Sequence, residues 1–117
     1  MVNDPRADEV LMDRVQAGDA DAFGLLFAPY RGPLYGYLRR MSHRGELADE
    51  LFQDTFLNVY RARATWTAHH GSFRSWLYRI ATNVCLDELR HRRLLKWQAW
   101  DSFVALFHPS QVARDNP

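Results

Sequence analysis

Trp76, Arg79, Asn83, Asp87 and Arg90 recur at steps of three and four, so a helix through them would carry all five along one ridge. A packed core has no use for the four polar ones. Arginine offers charge to a phosphate, asparagine a paired donor and acceptor to a base edge, and a tryptophan face a stacking surface for an exposed base. Asp87 has two uses of equal weight: accepting from the exocyclic amine of cytosine, or pairing with Arg90 or Arg79. Arg90, Arg92, Arg93 and Lys96 then form a cationic footprint suited to nucleic acid.

A second pattern lies on the acidic stretch before it. At 100° per residue, Phe52, Thr55, Phe56, Val59 and Tyr60 gather on one side of a helix from Glu46 to Arg63, the core side. The opposite arc holds Glu46, Glu50, Gln53, Asp54, Leu57 and Arg61. Single surface leucines are common and need no function. Yet an apolar anchor ringed by carboxylates and an amide also suits a basic or mixed helical surface of a partner.

Other chemistry finds no support. The five histidines, His69-His70 among them, have no second cluster at ligand spacing, so no metal site is expected. Cys85, the single cysteine, rules out an internal disulfide and reads as a small residue at the edge of the core. There is no Ser/His/Asp set, phosphate-cradling glycine loop or catalytic carboxylate pair. Neither enzyme activity nor a cofactor is expected.

The elements that must position these groups follow from the rest of the chain. Its 117 residues, 47% hydrophobic and 14% aromatic, suffice for one packed domain. No apolar run approaches a membrane span, and the acidic start "MVNDPRADEV" is unlike a secretory signal, so a cytoplasmic protein without membrane insertion is expected. Charge is segregated. Arg61–Lys96 has eight Lys/Arg against two acids, Met1–Tyr30 two against six, and Glu46–Tyr60 four acids without a cation.

Leu11 and Val15, with Arg14 and Gln16 outward, predict a short first helix. Gly18 suits its left-handed cap and Asp19 the N-cap of the next. Phe23 through Met41 continues at helical steps with a kink or break expected at Gly32-Pro33. Ser42–Gly45 reads as a turn, Ala64–Gly71 as a loop, and Ser72 as the cap of a helix running to about Lys96. The apolar Leu94–Phe107 segment is expected to fold back on the domain, the alternative being that it packs on something missing from the chain, and the tail "HPSQVARDNP" to be a linker or frayed end. The predicted fold is all-α, a compact bundle of about four to five helices around Phe23, Leu26, Phe27, Tyr30, Leu51, Phe56, Leu77, Ile80 and Val84. On the last helix the core stripe is read as Phe73, Leu77, Ile80, Ala81 and Val84.

The order "LADELFQDTFLNVYRA" then "FRSWLYRIATNVCLDELRHRR", after the opening "LMDRVQAGDADAFGLLFAPYRGPLYGYLRRM", resembles region 2 of bacterial sigma factors of the extracytoplasmic-function (ECF) group. The resemblance covers about Glu9 to Arg93. It implies a helical domain over residues 1–96 for transcription initiation, docking on the β′ clamp helices of RNA polymerase core and helping to melt the minus-ten promoter element by binding its non-template strand. Asp49, Glu50, Gln53, Asp54, Phe56 and Leu57 would lie in the polymerase-docking motif. Phe73, Trp76, Tyr78 and Arg79 would lie in the melting segment, and Asn83 and Asp87 at base-reading positions. The loop Thr65, Trp66, Thr67, Ala68, His69, His70, Gly71 and Ser72 falls where that family holds a flipped-out base. An anti-sigma factor is a further partner of such domains. Tyr60 stands where the family usually has tryptophan. Residues 97–117 would begin an interdomain linker, the second domain of that family being absent from the sequence. Two rival classes are a helical adaptor binding only proteins, which leaves the basic ridge unexplained, and a helix-turn-helix binder of duplex DNA, which would need a short recognition helix after a tight turn.

Overall fold

Gly18 adopts φ +100°, a left-handed conformation that costs glycine little, and there the chain leaves α1 (Pro5–Gln16) for α2 (Ala20–Phe27). Asp19 caps α2: its carboxylate accepts from the Ala22 amide at 3.1 Å and from Arg14 Nε and Nη2 at 3.0 and 2.7 Å. The Arg14 hydrogen bonds, then the Ala22 amide, hold the Asp19 carboxyl below its ordinary 3.8. A depressed carboxyl contributes stability that is present above 3.8 and lost as pH falls through the lower folded value. Asp19→Asn keeps a good cap but cannot titrate. Acid titration followed by circular dichroism is expected to show a shallower loss of helix for that variant than for the native chain.

The computed structural model describes residues 5–107, and among these every regular element is helical. The expected break falls earlier than Gly32-Pro33, in a 3-10 turn at Ala28–Tyr30. Pro33 lies in the first turn of α3 (Arg31–Ser42), where its missing N–H interrupts nothing. His43 closes α3 in the left-handed region at φ +60°, its amide bonded to Arg39 O at 3.0 Å, and α4 (Gly45–Arg61) follows. The expected loop contains two short 3-10 turns, Arg63–Thr65 and Ala68–His70. Ser72 then accepts from the Ser75 amide at 3.1 Å and caps α5 (Phe73–Phe107).

The described residues divide into two units, one ending at Cys85 and one beginning at Leu86. In the first, Met12, Leu26, Phe27, Leu34, Leu38, Leu51, Phe73 and Leu77 are fully buried. Phe27 is packed edge-on against Phe52 and Phe56, with centroids 5.7 and 5.2 Å away, and Phe23 meets Phe56 and Tyr60 at 4.8 and 5.1 Å. Thr55 is buried without penalty, because its hydroxyl donates to Leu51 O at 2.7 Å. Tyr30 donates to the buried Asp8, tying α1 to the turn after α2.

The core stripe of α5 differs from the predicted one. Phe73, Trp76, Leu77, Ala81 and Cys85 are buried, whereas Ile80 and Val84 are half-buried. Further along the helix, packing moves to another side: Thr82 shares a 2.6 Å hydrogen bond with Tyr37 of α3, and Tyr78 meets the Tyr37 ring at 5.2 Å. Cys85 is therefore covered and Ile80 left on the flank. Burial also pushes the Cys85 thiol above its usual range. Ile80→Ala is accordingly expected to cost about 1–2 kcal/mol in urea unfolding, below the range for a fully buried site.

In the second unit α5 continues to Phe107, past the expected end near Lys96, and no turn interrupts it where the predicted fold-back would begin. Trp97 and Trp100 remain 56% and 58% exposed. A cleft of 360 Å³ lies among Arg93, Lys96, Trp97 and Trp100, and Trp100 stacks on Phe103 at 5.7 Å. The polar tail falls outside the described residues. No helix among the described residues is long and apolar enough to cross a membrane.

Candidate functional site

Gln16, exposed as expected, also clasps the loop before α5. Its side-chain amide donates to the carbonyls of Arg63 and Trp66, each at 2.8 Å. Arg63 lies 4.1 Å over the Tyr60 ring and donates to Tyr60 O at 2.8 Å, and Thr65 Oγ1 donates to Ala62 O at 2.7 Å. These bonds fix the start of the loop. Its end turns at Gly71, whose φ of +93° a side chain would resist. Between them Thr67, Ala68 and His69 are exposed, while Trp66 is turned inward and only 4% exposed. The His70 side chain lies outside the described residues. Among the described residues, Trp66 Nε1 is buried without a hydrogen-bond partner. Glu9, Asp13 and Gln16 of α1 face Trp66, Thr67 and His69 across a cleft of 430 Å³. The sequence signalled none of this, since Gln16 bonds across separations of 47 and 50 residues.

On α5, within the first unit, Arg79 and Asn83 are exposed, and neither pairs with another side chain among the described residues. One turn apart on a rigid helix, they present a cation and an amide to solvent. Trp76 does not join them. It is 8% exposed, packed against Phe73 with centroids 6.0 Å apart, so its face is not available for stacking in the free chain. The apolar demand of the core outweighs the ridge position that its spacing suggested. In the second unit Asp87 pairs with Arg90 at 3.6 Å, both side chains over two-thirds exposed, an ion pair worth well under about 1 kcal/mol and easily exchanged. Arg92 is engaged by Glu88 at 3.0 Å, while Arg93 and Lys96 are exposed beside the tryptophan cleft.

On α4, Asp49, Glu50, Gln53 and Asp54 are exposed, and Leu57 among them keeps 44% of its surface in solvent. Phe56 is half-buried against Phe23 and Phe27, so its ring belongs first to the core. Thr55 and Val59 on the opposite side are buried and anchor the helix, which leaves the acidic arc outward.

A helical bundle with a fixed, cleft-forming loop between an acidic and a basic helix defines an all-α domain of the sigma region 2 type. The Sigma-70 region 2 family model matches residues 26–94, and the chain belongs to that family. Among its relatives, the RNA polymerase sigma factor CarQ of Myxococcus xanthus is 43% identical over 82 residues, 70% of this chain and 47% of that protein. The RNA polymerase sigma-H factor of Pseudomonas aeruginosa is 37% identical over 82 residues, 42% of its length. The chain thus spans under half the length of these curated relatives. Two solved structures are similar. An engineered region 2 of sigmaE in complex with GTAAAA, determined by NMR, has a TM-score of 0.64 at 37% identity, covering 74% of this chain and 92% of that one. CnrH in complex with the cytosolic domain of CnrY has a TM-score of 0.63 at 31% identity, covering 69% and 52%.

Proposed function

We propose that this chain is the promoter-opening domain of an ECF-type sigma factor, binding the non-template strand of the minus-ten element along α5 while α4 docks on the β′ clamp helices of RNA polymerase core. The observation that carries the reading is that Arg79 and Asn83, one turn apart, are exposed and without a side-chain partner among the described residues, in a chain of the Sigma-70 region 2 family. The region 2 of sigmaE similar to it was solved with the strand GTAAAA, which supports single-stranded DNA as the ligand here. Arg79, Arg90 and Arg93 hold phosphates, joined by Arg92 once it exchanges Glu88 for the strand. Asn83 reads a base, and Asp87 accepts from one after releasing Arg90. Trp76 would stack on a base only by leaving Phe73, so in the free domain it acts as a core residue that sets the position of α5. The loop from Thr65 to Ser72 takes an extruded base into the cleft it forms with α1. CnrH is bound by the cytosolic domain of CnrY, and by analogy an anti-sigma factor is a regulatory partner of this domain. The residues to Lys96 form the working domain, with a linker beginning at Trp97.

The test is fluorescence anisotropy with single-stranded GTAAAA, base-swapped hexamers and the matching duplex at two salt concentrations. The single strand is expected to bind more tightly than the duplex, which must first be unstacked. Asn83→Ala is expected to cost about 1–3 kcal/mol of discrimination at one position. Arg79→Ala is expected to weaken all hexamers alike and flatten the salt slope by about 0.7. Equal loss for matched and swapped strands with Asn83→Ala would remove Asn83 as a reader.

A further inference from the structure

Past its cationic run, α5 carries an aromatic stripe left open to solvent among the described residues. At 100° per residue, Arg93, Lys96, Trp97, Trp100, Phe103 and Phe107 fall within an arc of about 120°, with Gln98 and Ser102 opposite. The four rings keep between 51% and 65% of their surface in solvent. The stripe has two unlike ends. At its start Arg93, Lys96, Trp97 and Trp100 stand at positions i, i+3, i+4 and i+7 around a cleft of 360 Å³. Four residues at that spacing form the hole that receives a knob from a facing helix in coiled-coil packing. At its far end Trp100, Phe103 and Phe107 form a column of rings, with successive centroids 5.7 and 4.9 Å apart. Among the described residues no carboxylate pairs with Arg93 or Lys96, so both cations are available to a ring face. Hole and knob are thus on one helix, and each fits the other.

We infer that this stripe is a homodimer interface, on which a second copy of the chain lies antiparallel with Trp100 at the two-fold axis. The inference goes beyond promoter binding and does not rest on it. In that register Phe103 of each copy is level with the middle of the other's hole, and Arg93 with the other's Phe107. Charge selects the direction. A parallel pair would set Arg93 against Arg93 and Lys96 against Lys96, whereas the antiparallel pair sets cations against ring faces. The two-fold axis repeats every contact, as an isologous interface requires. The area also suffices. Aromatic side chains bury about 150–250 Å² each, so four rings over half open offer on the order of 400–500 Å² per copy. With the stems of Arg93 and Lys96 the pair removes about 1,000 Å² from water, the lower bound for a specific interface. A dimer at that bound is weak, with dissociation in the micromolar range.

The experiment is sedimentation equilibrium of the whole chain without nucleic acid, from about 1 to 500 µM, a range that brackets micromolar dissociation. The mass is expected to rise with concentration from that of one copy to that of two, and tryptophan emission to shift to shorter wavelength. Trp66 and Trp76 are already buried, so of the four tryptophans only Trp97 and Trp100 can report the change. Trp100→Ala with Phe103→Ala is expected to raise the dissociation constant about thirtyfold or more. Both residues are exposed and alanine favours helix, so unchanged circular dichroism at low concentration verifies the fold. Arg93→Ala with Lys96→Ala is expected to weaken the dimer about tenfold through the lost ring contacts, whereas a parallel pair would tighten as its repulsion is relieved. The inference is overturned if the mass stays that of one copy throughout. Binding of such a monomer to phosphatidylserine–phosphatidylcholine vesicles would then assign the stripe to a lipid surface. A dimer that the Trp100, Phe103 variant leaves intact, or that the cation variant tightens, overturns it equally. None of these outcomes bears on strand binding, which the hexamers read at concentrations where the chain is a single copy.

Discussion

Replacing Gln53 and Leu57 together with alanine is expected to weaken binding to core RNA polymerase by about thirtyfold or more, with helical content unchanged. Truncating a central interface anchor commonly costs at least about 2 kcal/mol, which is that factor. Leu57 has the position of such an anchor: 44% exposed on the outward arc of α4, with Gln53 one turn before it and Glu50 and Asp54 beside them. Contact with a partner would remove the remaining apolar surface from water, and the acids would set orientation and association rate. The fold does not depend on either residue, since α4 is held from its other side by Leu51, Thr55 and Val59. A pull-down or titration against core polymerase measures the effect. Unaltered affinity would remove the docking assignment and leave Leu57 an ordinary surface leucine.

Phe27→Ala is expected to destabilise the domain by about 3–5 kcal/mol in urea unfolding, the largest effect of any single change considered. Phe27 is fully buried where α2 meets α4, edge-on to Phe52 and Phe56 and tilted against Phe23 at 5.7 Å. Losing the ring leaves a void beside three other rings, none of which can fill it without leaving its own contacts. Strand affinity would fall through the unfolded fraction, so near the unfolding midpoint even low denaturant would abolish it. A loss below about 1.5 kcal/mol would show that the aromatic cluster repacks, as loosely specified cores do.

The local devices of this fold were legible in the sequence because each is completed within a few residues. Gly18 and Asp19 end one helix and begin another through bonds to Arg14 and Ala22, and Ser72 caps α5 through Ser75. Helical spacing likewise identified α4 and its outward arc, since a helix fixes the angle of each side chain about its own axis. The exposed Arg79 and Asn83 follow from the same angle. The family resemblance lay in two long motifs, and the Sigma-70 region 2 match spans both.

What periodicity cannot state is which neighbour covers which side of a helix. Trp76 shares its ridge with Arg79 and Asn83 yet is buried against Phe73, and Cys85 is covered where Ile80 is not, because contacts with α3 move round α5 along its length. The clasp of Gln16 on the loop and the cleft between Glu9, Asp13 and Trp66 join residues distant in sequence. No spacing rule reaches that far. The sequence by itself therefore determined the helical class, the local caps and the polar residues on the outward arcs of α4 and α5; only tertiary packing decided which aromatics are core and which acids face the loop, because burial is a property of pairs of elements and not of one.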